Sequence, residues 1–228
     1  DVWQQQVFHF EKLSEGMKHD EVDFQRSRMG KIKSNKRAEY ISHALYLCPE
    51  CQAVDSFRAN GNDFHCQDCS YGIHINSFGF FEQLGKGKLH FDNIRDWFDW
   101  EEKTFVKFIR DKYILQEEAH LFKDHNMKIF KSDDSGKLLP IGLADVSLYW
   151  NKILIEFTEN KTLELNFHEL QTINPQTQER LEIFYNNQAY RITGTRPGVS
   201  ALKWEVAVNT IWKEMGLEAK MVPYIKVK

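Results

Sequence analysis

The chain has 228 residues, 42% of them hydrophobic and 14% aromatic, and 30 Lys+Arg against 33 Asp+Glu give a formal net charge of -3. This composition belongs to a folded chain with room for two or three small modules, and it offers no global positive field for wrapping nucleic acid. No apolar run reaches the roughly 18–20 residues needed to span a bilayer, and the opening Asp1-Val2-Trp3-Gln4 lacks the basic and apolar regions of a signal peptide.

Residues 1–43 read as a helical, charged segment. Val7, Phe10, Leu13 and Met17 recur at spacings of three and four, which predicts an apolar helical stripe. Arg26, Arg28, Lys31, Lys33, Lys36 and Arg37 then follow with no acid among them. That run is either a solvated basic surface or a contact for anionic phosphate groups, in particular a membrane surface.

Residues 44–90 carry the most specific signal. The only four cysteines form two pairs, Cys48-Pro-Glu-Cys51 and Cys66-Gln-Asp-Cys69, separated by 14 residues. Each C-x-x-C turns two thiolates toward one ion, so two pairs supply four tetrahedral ligands. Between them, Phe57 and Phe64 flank Asn60-Gly61-Asn62, a tight-turn signal that predicts a β-hairpin. Cys48, Cys51, Cys66 and Cys69 are therefore expected to hold a structural Zn2+ in a zinc ribbon, with no open position for catalytic water. So small a hairpin is expected to have little core of its own, with metal binding supplying its folding free energy. Two disulfides or a redox C-x-x-C are the alternatives. Reduced, metal-bound cysteines imply a cytoplasmic setting. From Ala44 to Leu84, Arg58 is the one Lys or Arg, against Glu50, Asp55, Asp63, Asp68 and Glu82, which disfavours a nucleic-acid grip by this unit. Phe78-Gly79-Phe80-Phe81 reads as a strand packing the ribbon on its neighbour, and His65 as a residue near the metal.

Residues 91–118 predict a helix with an aromatic face of Ile94, Trp97, Phe98, Phe105, Phe108 and Ile109, and with acids near its start. Trp97 and Trp100 suit packing between modules, with a membrane interface as the alternative. Residues 119–228 change to period two. Strands are expected around Leu121 to Ile129, Leu138 to Leu148, Ile153 to Phe157, Thr162 to Phe167, Leu181 to Tyr185 and Gln188 to Ile192, the last two joined at Asn186-Asn187. One helix closes the chain, with Ser200 as its N-cap, Trp204, Val208, Ile211 and Met215 on its apolar face, and Gly216 at its end. The fold class is thus α+β and multi-modular: N-terminal helix, four-cysteine zinc ribbon, connecting helix, and an antiparallel β module closed by a C-terminal helix. In layout this last module resembles the pleckstrin-homology-like fold.

Catalytic constellations are hard to find in the sequence: there is no phosphate-loop motif and no nucleophile elbow, and the His120, Asp124 and His125 group is a weak candidate against a surface histidine cluster. The run from Arg37-Ala38-Glu39-Tyr40 through the two cysteine pairs to Phe91-Asp92-Asn93-Ile94-Arg95-Asp96-Trp97 resembles the C-terminal extension of some bacterial lysophosphatidic acid (1-acylglycerol-3-phosphate) acyltransferases. The resemblance covers roughly residues 30–110. Catalysis in that family belongs to an N-terminal domain with an H-x-x-x-x-D motif, and no histidine here has aspartate five positions on. The resemblance therefore implies a non-catalytic accessory region, either a piece of an acyltransferase-like phospholipid-synthesis protein or a stand-alone relative. Its expected role is to dock on a catalytic domain or another protein, or to sit peripherally at the inner membrane surface. A zinc-ribbon adaptor for nucleic acid or protein is the alternative function.

Overall fold

The computed structural model describes residues 20–85, 87–116, 118–176, 179–195 and 199–221. The stripe Val7, Phe10, Leu13 and Met17 lies outside them. Helix α1 (Glu21–Arg28) begins at Asp20, whose carboxylate accepts from the N–H groups of Val22 and Asp23, both at 3.0 Å. The helix expected through residue 43 stops at Arg28, where Met29 turns left-handed with φ 49°; residues 29–40 run without helix, and a 3-10 turn, Ile41–His43, leads into the ribbon.

The ribbon is a four-stranded antiparallel sheet of β1 (Phe57–Asn60), β2 (Asp63–Cys66), β3 (Gly72–Ile75) and β4 (Phe81–Gln83), hydrogen-bonded in chain order. Asn60 pairs with Asp63, and Gly61 alone in the turn takes a positive φ of 62°. Its Cα also lies close to the backbone, because an added Cβ would sit 3.1 Å from the Asn35 carbonyl oxygen. The strand expected across Phe78-Gly79-Phe80-Phe81 starts only at Phe81. Asn76 accepts from the N–H groups of Phe78 and Phe80 with its side-chain oxygen, and Gly79 has φ 84°, so these residues form a turn instead.

Helix α2 (Ile94–Leu115) starts at Asn93, whose side chain accepts from the Asp96 N–H at 3.0 Å. Its buried residues, Trp97, Glu101, Phe105 and Ile109, follow one another at every fourth position. Two apolar cores meet along this stripe. Trp97 lies in the ribbon core, with Phe57, Phe64, Tyr71 and Phe81 around it, and makes edge contacts with Phe57 at 5.4 Å and Phe81 at 6.0 Å. Phe105 and Ile109 belong to the core of the second unit, which also takes Tyr46 and Leu47 from the approach to the first cysteine. Trp97 is fully buried, so it packs between modules, and Trp100 lies partly buried against both cores.

That second unit is a seven-stranded antiparallel sheet, curled into a half-barrel: β5 (Phe122–Ser132), β6 (Leu138–Leu148), β7 (Lys152–Phe157), β8 (Thr162–Asn166), β9 (Leu170–Gln176), β10 (Arg180–Tyr185) and β11 (Gln188–Thr193). The order is β8-β7-β6-β5-β11-β10-β9, so β5 joins the two halves of the sheet. Irregular register along β5 and β6, at Asp124/Met127 and Ile129/Phe130, supplies local twist. Strand β9 was not among the expected strands. It contains Pro175, which sits at the sheet edge, where a missing N–H costs no ladder bond.

Helix α3 (Leu202–Glu214) packs Trp204, Val208, Ile211 and Trp212 into the sheet's core. Ser200 is not its N-cap. The cap position is Ala201, without a side-chain bond, and the Ser200 hydroxyl instead donates to the His43 carbonyl at 2.7 Å, tying the helix entry to the ribbon's approach. Gly216, at φ 70°, does end the helix, and the Leu217 N–H returns to the Trp212 carbonyl at 2.7 Å.

Candidate metal centre

Two similar turns build the site. The Cys48 N–H donates to the Ala53 carbonyl and the Cys66 N–H to the Tyr71 carbonyl, each at 3.0 Å, so in both pairs the chain closes five residues after the first cysteine. Gln52, at φ 59°, turns the first loop, and a bridge between Leu47 and Val54 closes its base. The second loop is tied to the first by the Gln67 N–H on the Ser56 carbonyl at 2.7 Å. Cys48 and Cys66 are buried in the ribbon core, Cys69 is half-buried and Cys51 is exposed.

This arrangement brings all four sulfurs within 4.8 Å of one another, with Cys48–Cys69 and Cys51–Cys66 separations of 3.7 Å. A tetrahedron with zinc–sulfur bonds of about 2.3 Å has edges of about 3.8 Å. The four thiols are free, and 3.7 Å is far beyond a sulfur–sulfur bond, so the two-disulfide alternative does not describe this structure. The cluster could hold a metal ion, and its all-sulfur donor set suits zinc. Without a cation the site is chemically awkward. Burial pushes the Cys66 thiol up to about 11 and the Cys48 thiol higher still, although backbone N–H groups of Glu50 and Cys51 on Cys48, and of Asp68 and Cys69 on Cys66, favour the thiolates. For Cys51, burial works the same way but is outweighed by the Ala53 N–H and the neighbouring thiols, leaving it lowered. Those N–H groups favour thiolates, and a divalent ion at the centre of the four sulfurs would supply the compensating charge.

The other candidates are distributed differently. His65 neighbours Cys66 on β2, and strand alternation turns it to the opposite face of the sheet. His90 instead approaches the first cysteine turn, with Nε2 2.7 Å from a Glu50 oxygen and its ring 5.3 Å from Tyr71. His120, Asp124 and His125 do not converge: Asp124 points into the core, His125 pairs outward with Asp145 at 2.9 Å, and the His120 ring faces Tyr149. In the basic run, Arg26 pairs with Asp92 at 2.9 Å and Lys36 with Glu39 at 3.1 Å, while Arg37 Nε donates to the Ile75 carbonyl at 2.9 Å.

Two buried polar groups near the metal unit escaped sequence reasoning. Glu101 Oε2 accepts the Tyr46 N–H at 2.7 Å and the Leu47 N–H, gripping the segment that enters the first cysteine turn. Its Oε1 is buried without a hydrogen-bond partner among the described residues, and burial pushes the carboxyl up to about 8 against the pull of the two N–H groups. Lys203 Nζ lies between Asp124 at 2.6 Å and Asp55, and the Trp204 indole N–H donates to Asp124 at 2.7 Å. The lysine is fully buried, which drives its pKa well down. Asp55, four residues after Cys51, thus connects the metal loop to β5 and α3. Glu101 had a signal, because it falls within the every-fourth-residue stripe of Trp97, Phe105 and Ile109.

No protein-family model matches the chain, and no curated protein does. Among the described residues no helix is long and apolar enough to cross a membrane.

Proposed function

We propose that the chain is a non-catalytic accessory region of a phospholipid-synthesis protein of the 1-acylglycerol-3-phosphate acyltransferase type. Its role is to dock against the catalytic domain and position it at the cytoplasmic face of the membrane. A structural zinc ion held by Cys48, Cys51, Cys66 and Cys69 braces the ribbon for this role. The quartet of sulfurs within 4.8 Å carries the reading, because an ion with four protein thiolates has no vertex left for water or substrate. The ion's chemistry here is charge compensation and cross-linking of two loops. Asp55, Glu101, Tyr46 and Leu47 then connect those loops to the second unit.

The sequence resemblance over residues 30–110 supports the acyltransferase association. The seven-strand order and the single closing helix support a pleckstrin-homology-like assignment for the second unit, which by itself licenses no ligand. The test is co-purification of this chain with a separately expressed lysophosphatidic acid acyltransferase domain, alongside acyl transfer by the chain alone. Association with the domain and no turnover by the chain are expected. Turnover above background in the chain alone would overturn the reading.

A further inference from the structure

The ribbon carries a second feature, distinct from the cysteines. A groove of about 480 Å³ is lined by Ile32, Tyr40, Ile75, Phe81 and Ile94, with Arg37 and Glu39 as its charged residues. Three of these side chains are largely open to solvent: Ile32 at 45%, Tyr40 at 62% and Ile94 at 42%. Met29, at 48%, precedes them in the chain. Clustered apolar exposure of this kind marks an interaction face.

The segment is held in place. The Ile32 N–H donates to the Ser77 carbonyl at 2.7 Å and Gln25 Nε2 to the Phe78 carbonyl at 2.9 Å. Gly79 makes room for the contact, since a Cβ there would lie 3.0 Å from Ile32 Cδ1. Tyr40 keeps φ at 67°, an outlier for a bulky residue, with its side chain outside the core.

The charges around this face decide the occupant. Arg26 and Lys36 are matched by Asp92 and Glu39, whereas Lys31 and Lys33, on either side of Ile32, have no carboxylate partner among the described residues. An aliphatic side chain flanked by two unmatched lysines, with an exposed tyrosine beside it, is the pattern of an interfacial contact rather than of base stacking. We propose that this face seats the chain on an anionic phospholipid bilayer, with Ile32, Tyr40 and Ile94 entering the headgroup boundary and Lys31 and Lys33 meeting lipid phosphates. The proposal deepens the membrane-positioning part of the function above and rests on that reading.

The experiment is sedimentation of the full zinc-loaded chain with phosphatidylglycerol-containing vesicles and with pure phosphatidylcholine vesicles. Binding to the anionic vesicles alone is expected, weakening with salt. Each lysine contributes about fivefold to partitioning, so K31A/K33A binds about 25-fold more weakly. I32S/Y40S also loses binding while keeping its zinc and its thermal transition. Equal binding to both vesicle types, wild-type binding by K31A/K33A, or no vesicle binding at all would overturn the proposal. If vesicle binding fails while the acyltransferase domain still co-purifies and masks this groove, the face is a protein interface. The docking reading then survives without this inference.

Discussion

The two units reach stability by different routes. The second unit packs α3 against a seven-stranded sheet and buries aliphatic residues such as Ile129, Val146, Ile155, Leu165 and Ile183 in one core with Trp204 and Trp212. The ribbon has four short strands, and its core is a ring of aromatics around one borrowed side chain, Trp97 from α2. The expectation that the hairpin has little core of its own therefore needs correcting: Phe57 and Phe64 stack at 4.2 Å beneath that tryptophan. Backbone hydrogen bonds close each of its two cysteine loops, and an ion held by the four sulfurs would cross-link one loop to the other. Small units close their entropy deficit with cross-links, whereas larger sheets close it with apolar area.

The largest test of this contrast is metal removal. Structural zinc in comparable small folds supplies an apparent ~10–16 kcal/mol. Cys48→Ser or Cys66→Ser should release the ion and unfold residues 44–84. Hydrogen exchange should then rise across β1–β4 and stay slow in β6, β7 and β10. Equal loss of protection in both units would mean that the ribbon's fold is required by the whole chain.

Next comes the buried Lys203. Lys203→Met removes the buried Nζ that Asp55 and Asp124 share, and removing one partner of a buried pair costs about 3–5 kcal/mol. Because Asp55 belongs to the metal loop and Asp124 to β5, the variant should loosen the contact between the units. The check is a lowered denaturation midpoint together with faster zinc transfer to a chelator. Unchanged transfer would place the lysine's role wholly within the second unit.

Glu101 gives a pH-dependent version of the same contact. Its ordinary value is 4.5 and burial holds it near 8 in the folded chain. Between those values the unfolded chain releases the proton and the folded chain keeps it, so stability falls as pH rises from about 4.5 to 8, by a few kcal/mol in all. Glu101→Gln keeps an oxygen for the Tyr46 and Leu47 N–H groups and has no proton to lose. Urea midpoints measured across this range should slope downward for the wild type and run flatter for the variant. Parallel curves would show that the carboxyl ionises freely when folded.

The smallest effect is at the ribbon turn. Gly61→Ala should cost about 1–2 kcal/mol, since φ is 62° and the Asn35 carbonyl is close. Thermal unfolding followed at the ribbon aromatics should detect it.

Legibility in the sequence follows the same division. The cysteine pairs, the Asn60-Gly61 turn, Trp97, Phe105 and Ile109 of the α2 stripe and six of the seven strands of the second unit could be read directly, because each rests on local spacing; Ile94, expected on the same helix face, is instead exposed. Strand β9 was missed because Pro175 and the polar Gln171, Thr172 and Asn174 blur its alternation, and only its place at the edge permits them. Ser200 satisfies the local rule for a cap, yet its hydroxyl is drawn to His43, which lies 157 positions away in the chain. Lys203 and Asp124 look like surface charges in isolation; each is buried only because the other, and Asp55, are there. Tertiary partners of this kind leave no local spacing signal.

X-ray absorption at the metal edge of protein purified under reducing conditions addresses the central claim most directly. One zinc per chain with four sulfur neighbours at about 2.3 Å is the expected result. A shell that includes an oxygen or nitrogen donor, or protein that folds with no bound metal, would contradict it.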